Sequence, residues 1–489
     1  MAKVGSRSGT LASMVGVPNS LGPAELLMHY GTDDQKNELL PKLATGEHVP
    51  CFALTGPYAG SDATSMPDTG IVCKGEFEGE EIIGIKLNFS KRYITLAPIA
   101  TLIGLAFKMY DPDQLIGETE NYGITCALLP KGTKGLETGR RHIPIGSPFM
   151  NGTITGEDVF IPLDYIIGGV EQAGQGWKML TDCLAAGRAT TLPAGAMSGA
   201  KSALAVTGPY ARAREQFGMP IAEFEGILEP LGRMAGNSYM ITSSVSTTAM
   251  AIGAGEKPSV ISAILKYHTT ELARNIGMDA MDIHGGKAVM LGPKNYLAGG
   301  YESTPVGITV EGANIMTRSL IIFGQGLNKS HPYIFNILDS VLSDNEKEFG
   351  KHFKHMIWYS INLYLQSIFT KLIYFNNLDV NLEKQIIDFA CLTNFVALKG
   401  GKIKKEQMLS GDMADIFSNL YLAISVKYYD RNSKASSILT EYVINRLLNE
   451  NQIKINKVID NLGYERYLLQ HLKKNVKNIS YEDERKVFD

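Results

Sequence analysis

ITVEGANI, residues 308–315, followed by Met316, Thr317 and Arg318, is the stretch on which the reading of this chain turns. It sets one carboxylate, Glu311, between a β-branched apolar run and a glycine, directly ahead of apolar residues at helical spacing (Ile315, Leu320, Ile321, Ile322). Apolar walls disfavour the charged form of a carboxylate and move it toward the range of a general base near neutral pH. Glu311 can equally cap the helix that follows, its charge near the positive end of the helix dipole. Taken alone the residues favour the cap; the surrounding sequence reverses that preference.

Outward from this point, the spacing predicts helices over 175–217, 224–254, 257–283 and 312–328, with Gly and Pro at the connections, the pattern of a four-helix bundle. Residues 51–165 carry short apolar runs punctuated by Gly, Pro and Asp: 51–54, 70–72, 82–85, 93–96, 124–129 and 159–162. Such spacing predicts a compact antiparallel β domain. No strand and helix alternate there and no GxGxxG turn opens a helix, which argues against a Rossmann nucleotide site. Ahead of it, Leu26, Leu27, Met28 and Tyr30 precede a Gly31-Thr32 break, and Leu39, Leu40 and Leu43 follow. Two short helices joined at Gly31 result, the second N-capped by Thr32. Beyond Pro332 no proline occurs, and Asn, Lys, Ile and aromatics predominate, as in an all-helical extension. The expected fold class is α+β, with domains at 1–50 (partial helical segment), 51–168 (β), 169–330 (bundle) and 331–489 (extension).

The 489 residues suffice for several domains, and 44% hydrophobic with 20% charged residues is the balance of a soluble globular protein. A net charge of -3 argues against a general nucleic-acid binder. Cysteines 51, 73, 126, 183 and 391 form no CxxC pair and read as reduced thiols in a reducing compartment. No metal site is expected. The N-terminus lacks a continuous apolar signal region. The run from Tyr93 to Phe107 is broken by Pro98 and reads as buried strand. The aromatic stretch from Ile357, Trp358 and Tyr359 to Tyr374 and Phe375 reads as core before it reads as a membrane-surface helix.

Four further segments have ligand-binding chemistry. Thr55-Gly56-Pro57-Tyr58-Ala59-Gly60-Ser61-Asp62 turns sharply at a strand end and offers hydroxyls and a carboxylate, although an ordinary Gly-Ser-Asp turn has the same composition. Lys91-Arg92-Tyr93-Ile94-Thr95 can place a ring and a hydroxyl on one face. Arg214-Glu215-Gln216-Phe217-Gly218 ends a helix with a guanidinium, suited to phosphate or to a surface ion pair. Ile283-His284-Gly285-Gly286 closes a helix with bare backbone that can approach a phosphate or serve as a plain C-cap.

In this order the segments resemble the acyl-CoA dehydrogenase family. Gly31 to Glu47 is similar to its "GTxEQKxxxLPxLAxGE" helix pair and Thr55 to Asp62 to its "TEPxAGSD" turn. Tyr93-Ile94-Thr95 resembles its "WIT", Arg214 to Gly218 its "RxxFG", Ile283 to Gly286 its "IxGG" and Glu311-Gly312 its "EG". Val15 to about His331 resembles most the large bacterial fatty-acid β-oxidation type. Departures are Gly56 and Tyr58 in the turn, and Ala313 where Thr is common. The segment before the β domain is also shorter than the family's N-terminal helical domain. By the resemblance the chain begins inside that domain, and its extension also stops early.

The resemblance implies an FAD-dependent enzyme converting a medium- or long-chain fatty acyl-CoA to the trans-2-enoyl-CoA, with Glu311 as the catalytic base. It implies a thioester carbonyl held by a backbone N–H and a flavin hydroxyl. Thr55, Ser61, Tyr93 and Thr95 are the implied flavin contacts. Arg214, Gln216 and Phe217, with Gly285 and Gly286, are implied to reach the flavin pyrophosphate and adenine of a neighbouring subunit. Ser61, Arg188 and Gly312 are the implied substrate contacts, Arg188 one residue out of register. A homodimer or homotetramer, an electron-transfer flavoprotein as acceptor, and a cytoplasmic location with peripheral association at the inner membrane complete the expectation. The competing expectations are a truncated non-catalytic relative and an acyl-CoA oxidase.

Overall fold

The computed structural model describes residues 1–257, 259–370, 377–433 and 436–476, apart from the side chains of 18–21 and 184–186. The chain forms two compact units: Met1–Ser198 with Ala298–Gly307, and Gly199–Leu297 with Ile308 onward.

In the first unit the helices Pro23–Tyr30 and Asp33–Thr45 meet at Gly31, as the sequence predicts. Thr32 and Gln35 form a full capping box on the second helix. A Cβ at Gly31 would come 2.7 Å from the Leu27 carbonyl oxygen, so only glycine permits the close joint. A further helix, Gly9–Leu21, precedes them.

The sheet of this unit comprises β1 (Pro50–Ala53), β2 (Thr69–Phe77), β3 (Glu80–Thr95), β4 (Leu102–Tyr110), β5 (Asn121–Pro130), β6 (Leu136–His142) and β7 (Asn151–Pro162). Its order is β1-β4-β2-β3-β7-β6, with β5 beside β4. Most pairings are antiparallel, as expected, but β4 runs parallel to both β1 and β2. Parallel pairs need a long crossover, which residues 54–101 supply for β1 and β4, and side-chain alternation carries no mark of strand direction. The runs 82–85 and 93–95 belong to one strand, β3, which bulges between Lys91 and Ile94 and ends before Leu96. Its core side chains Ile85 and Leu87 pack with Val72, Leu105, Phe107 and Ile161. Four cysteines are buried, and all five are free thiols.

In the second unit, Glu225–Gly253, Ser259–His284 and the helical segment Asn314–Ser330 lie close to the predicted bundle helices. Residues Thr317–Gln325 of that segment are wound as a π-helix. The extension continues through Ile334–Leu342, Glu346–Phe369, Leu378–Ala397, Gln407–Ser433 and Ser437–Asp460. One apolar core holds Met240, Ile264 and Ile322 of the bundle together with Leu392, Leu420 and Val443 of the extension. Burying a side chain of this size stabilises by roughly 1.5–3 kcal/mol.

The aromatic stretch expected to pack inside is at the surface. Only Leu363 and Ser367 of Glu346–Phe369 are buried, while Phe353, Ile357, Trp358, Ile361 and Phe369 face outward. The helix is amphipathic, and the adjacent helices cover one side of it. Tyr374 and Phe375 lie outside the described residues. Among the described residues no single helix is long and apolar enough to cross a membrane.

Candidate active site

Glu311 sits in a bend between the helix Ala298–Thr309 and the segment that begins at Asn314. Its backbone is left-handed (φ 55°), as is that of Gly312 (φ 93°). For a residue with a Cβ this conformation costs about 1–2 kcal/mol, and it persists only where the surroundings impose it. The N-cap position ahead of Asn314 is taken by Ala313, which has no capping side chain, so Glu311 is not placed as the cap. The half-buried carboxylate is instead held on a strained elbow.

The surroundings that impose the elbow come from the helix Ser259–His284. Lys266, fully buried on that helix, donates from Nζ to the carbonyl oxygens of Ile308 at 3.1 Å and Gly312 at 2.7 Å, and to Asn314 Oδ1 at 2.6 Å. Asn314 Nδ2 donates back to that helix, to Thr270 Oγ1 at 3.0 Å and Glu271 Oε1 at 2.8 Å. The Thr317 hydroxyl adds a second donor to the Gly312 carbonyl at 3.1 Å.

A second buried lysine organises the first unit. Lys91 is wholly buried, 2.5 Å from Asp68 Oδ2, and donates to the Leu54 carbonyl at 3.0 Å. Burial lowers its pKa, against the raising effect of Asp68. Asp68 Oδ1 accepts from the Ser90 amide at 2.9 Å, and the Arg92 amide donates to the Thr55 carbonyl at 3.0 Å. The turn that carries Thr55 is thereby fastened to β3. At the bulge Tyr93 turns left-handed (φ 61°) and its ring is 58% exposed, with Arg92 stacked 4.9 Å from its centre. Asn151 Nδ2 donates to the Tyr93 carbonyl at 3.0 Å and to Thr95 Oγ1 at 3.3 Å. A hydroxyl that accepts from Asn151 retains its own O–H as a donor. Tyr93 and Thr95 are thus brought to one place. Ser61 is exposed further along the turn. Arg188 is half-buried on the helix Gly176–Ala213.

In the second unit, β8 (Glu215–Gln216) and β9 (Met219–Pro220) make a hairpin whose two turn residues, Phe217 (φ 55°) and Gly218 (φ 81°), are both left-handed. This is the two-residue loop whose twist matches its strands. It thrusts Phe217 out at 93% exposure, beside the exposed Arg214 and Gln216. At the end of Ser259–His284, the histidine is a satisfied core residue. Its Nδ1 lies 2.8 Å from the Ala280 carbonyl and its Nε2 2.8 Å from the Tyr296 hydroxyl, while the Tyr210 ring stacks on it at 4.2 Å. Burial depresses its pKa. Gly285 follows at φ 56°, with no atom within 4 Å of where a Cβ would stand on it or on Gly286.

In the first unit, a hydroxyl beside an exposed ring fits a planar cofactor; in the second, a carboxylate on a strained elbow fits a proton abstraction. A guanidinium, an amide and open glycine backbone suit an anionic group. Lys91 and Asn314 stand inside quoted segments but carried no role there, and Asn151 and Lys266 lie outside every motif. The signal available for Lys266 was faint: its helical neighbours at three and four residues are Ser262, Ala263, Thr269 and Thr270, small side chains rather than charged ones, away from the face that Ile261, Ile264 and Leu265 define.

Four family models match successive parts of the chain. They are the acyl-CoA dehydrogenase N-terminal domain over residues 1–47, the middle domain over 51–159, the C-terminal domain over 174–324, and the bacterial-type C-terminal domain over 328–481. An acyl-CoA dehydrogenase of Bacillus subtilis (strain 168) is 30% identical over 287 residues, which is 58% of this chain and 70% of the relative. Protein HemX of Proteus mirabilis is 55% identical over 103 residues, 21% of this chain and 61% of that protein, less than two thirds of its length. The crystal structure of an acyl-CoA dehydrogenase complexed with FAD from Bacillus anthracis superposes with a TM-score of 0.78 at 22% identity, covering 100% of this chain and 82% of that one. At that identity the likeness is one of fold.

Proposed function

Since the chain belongs to the acyl-CoA dehydrogenase family of FAD-dependent oxidoreductases, we propose that it dehydrogenates a medium- or long-chain fatty acyl-CoA at the α,β bond in fatty-acid β-oxidation. The observation that carries this reading is Glu311, a carboxylate held on a strained, left-handed elbow in register with the family's other motifs. Support for the chain length is the resemblance to the large bacterial type.

The residues present fit FAD by the chemistry of their donors. Thr95, its oxygen engaged by Asn151, the exposed ring of Tyr93, and Thr55 would hold the flavin. Arg214, Gln216 and the open backbone at Gly285 and Gly286 would hold its pyrophosphate. The chemistry FAD supplies when bound is acceptance of the β-hydrogen as hydride. Glu311 takes the α-proton, and the two electrons of that C–H bond become the new double bond. Ser61, Gly312 and Arg188 would contact the thioester or its CoA. Electrons would pass on to an electron-transfer flavoprotein. Phe217, exposed on a left-handed turn, supports a dimer or dimer of dimers in which the hairpin reaches the neighbouring subunit. A monomeric, fully active holoenzyme in sedimentation would end that part of the reading.

The test is the visible absorbance of the purified protein before and after anaerobic addition of acyl-CoAs from butyryl to palmitoyl. A flavin band that bleaches is expected, most rapidly with the longer chains. Glu311→Gln should keep its FAD and bleach about 10²- to 10⁴-fold more slowly, the loss typical of a general base. A colourless protein, or a yellow one indifferent to every acyl-CoA, would refute the dehydrogenase. Rapid reoxidation by oxygen with peroxide release would make it an oxidase.

A further inference from the structure

We propose that Lys266 is a positioning residue that sets the Glu311 carboxylate, an inference that rests on the dehydrogenase reading above. Lys266 lies at a core position of Ser259–His284, among Ala263, Ile264, Leu265 and Thr269, and shows no exposed surface. Burying an ammonium is costly unless oxygens receive its protons. Three do, one for each N–H of the group. These oxygens all fall within residues 308–314, at the end of one helix and the start of the next. They bracket Glu311: Ile308 O on its N-terminal side, Gly312 O and Asn314 Oδ1 on its C-terminal side.

A single cation drawing those carbonyls inward fixes the separation of the loop's two ends. The peptide between them must then turn within a few residues. The left-handed φ of Glu311 and Gly312 is the way it turns. Asn314, bonded to Thr270 and Glu271 on the same helix, and Thr317, bonded to the Gly312 carbonyl, fasten the C-terminal side a second time. Without the clasp the Glu311 backbone can relax to the ordinary helical or extended region, and its carboxylate swings with it. Lys266 is a positioning residue: it acts through the carbonyls of Ile308 and Gly312 and the side chain of Asn314, on either side of the base.

The experiment compares the full-length holoenzyme with Lys266→Met, which keeps chain length and apolar bulk but has no donor. FAD content should be retained. The rate of anaerobic bleaching by palmitoyl-CoA should fall about 10²-fold, the effect of misplacing a reacting group by about 1 Å, while KM stays near its original value. Hydrogen exchange in the FAD-free full chain should accelerate in the peptide covering 309–317 and stay unchanged along Ser259–His284. Bleaching at the original rate would overturn the proposal. So would faster exchange spread along the whole helix, the mark of a lysine that merely supports the fold. Should Lys266→Met not accumulate as folded protein, Asn314→Ala removes one of the three oxygens, and about a tenfold slower bleaching is expected on the scale of one lost charge-assisted hydrogen bond; an unchanged rate would again overturn the proposal. If the unaltered protein itself does not bleach, the dehydrogenase reading fails. The exchange comparison then decides alone whether Lys266 holds the loop.

Discussion

His268 stands two residues beyond Lys266, half-buried beside Tyr267, with Asp415, Arg318 and Lys454 acting on it. Burial pulls its pKa from the ordinary 6.5 down to about 4, against the raising effect of Asp415. Between those values the unfolded chain binds a proton that the folded chain refuses. Stability from this source is therefore complete above about pH 6.5 and is lost as the pH falls toward 4. At about 1.4 kcal/mol per pH unit, the loss is on the order of 3 kcal/mol. His268→Leu should flatten this slope in urea unfolding measured at successive pH values, and parallel curves for both proteins would remove His268 as its cause. Single residues also show what could be read from sequence and what could not. Tyr93, Phe217 and Glu311 were found as motif members, but their shared left-handed backbone was hidden, since nothing in an aromatic or acidic residue announces a positive φ. Lys91 and Lys266 were missed as organisers because a lysine is normally a surface residue; Lys91 alternates with Leu87 and Phe89 on the buried face of β3, whereas Lys266 has only small neighbours, Ser262, Ala263, Thr269 and Thr270, to mark its burial.

At the scale of elements, the π-wound segment after Glu311 is tied to the extension by charge. Arg318 bonds Asp415 at 2.7 Å and Asp412 at 3.2 Å, and Lys454 and Lys457 each lie 2.7 Å from one of these carboxylates. Gly411 lets the guanidinium lie flat on the helix Gln407–Ser433, since a Cβ there would collide with it. Gly411→Ala should therefore push Arg318 off carboxylates that are nearly buried. The expected cost is about 2 kcal/mol, below that of breaking a fully buried pair because Arg318 is partly exposed. Combined with Arg318→Met the two losses should be less than additive in urea unfolding. Strict additivity would show that Gly411 and Arg318 act separately. Elements with strong periodicity, such as Glu225–Gly253 and Ser259–His284, were legible to within a few residues. The helix Ala298–Thr309 was not, because Gly299, Gly300 and Pro305 carry breaker signals that packing overrides. The polar edge strand β6 has no apolar run to betray it.

Across the whole molecule the decisive fact is that bundle and extension share one core. Tyr239, Val260, Ile264, Ile322 and Phe323 close onto Leu420, Val426, Val443, Leu447 and Ile455. The sequence marked a boundary near 331 by the disappearance of proline, but composition cannot say whether a helical tail is an appendage or half of a core. Each large apolar side chain uncovered costs roughly 1.5–3 kcal/mol, against a total stability of about 5–15 kcal/mol for a domain. Losing the extension therefore exceeds what the bundle can absorb. A chain ended after Ser330 should aggregate or expose dye-binding apolar surface. In the full chain, tryptic protection of the bundle and of the extension should vanish at the same urea concentration. A soluble, protected bundle from the shortened chain would mean that its faces close without the tail. The hold of Asp412 and Asp415 on Arg318 would then be a late fastening, and Glu311 would owe its position to the bundle alone. Joint loss would instead make the extension part of the frame on which that carboxylate is held.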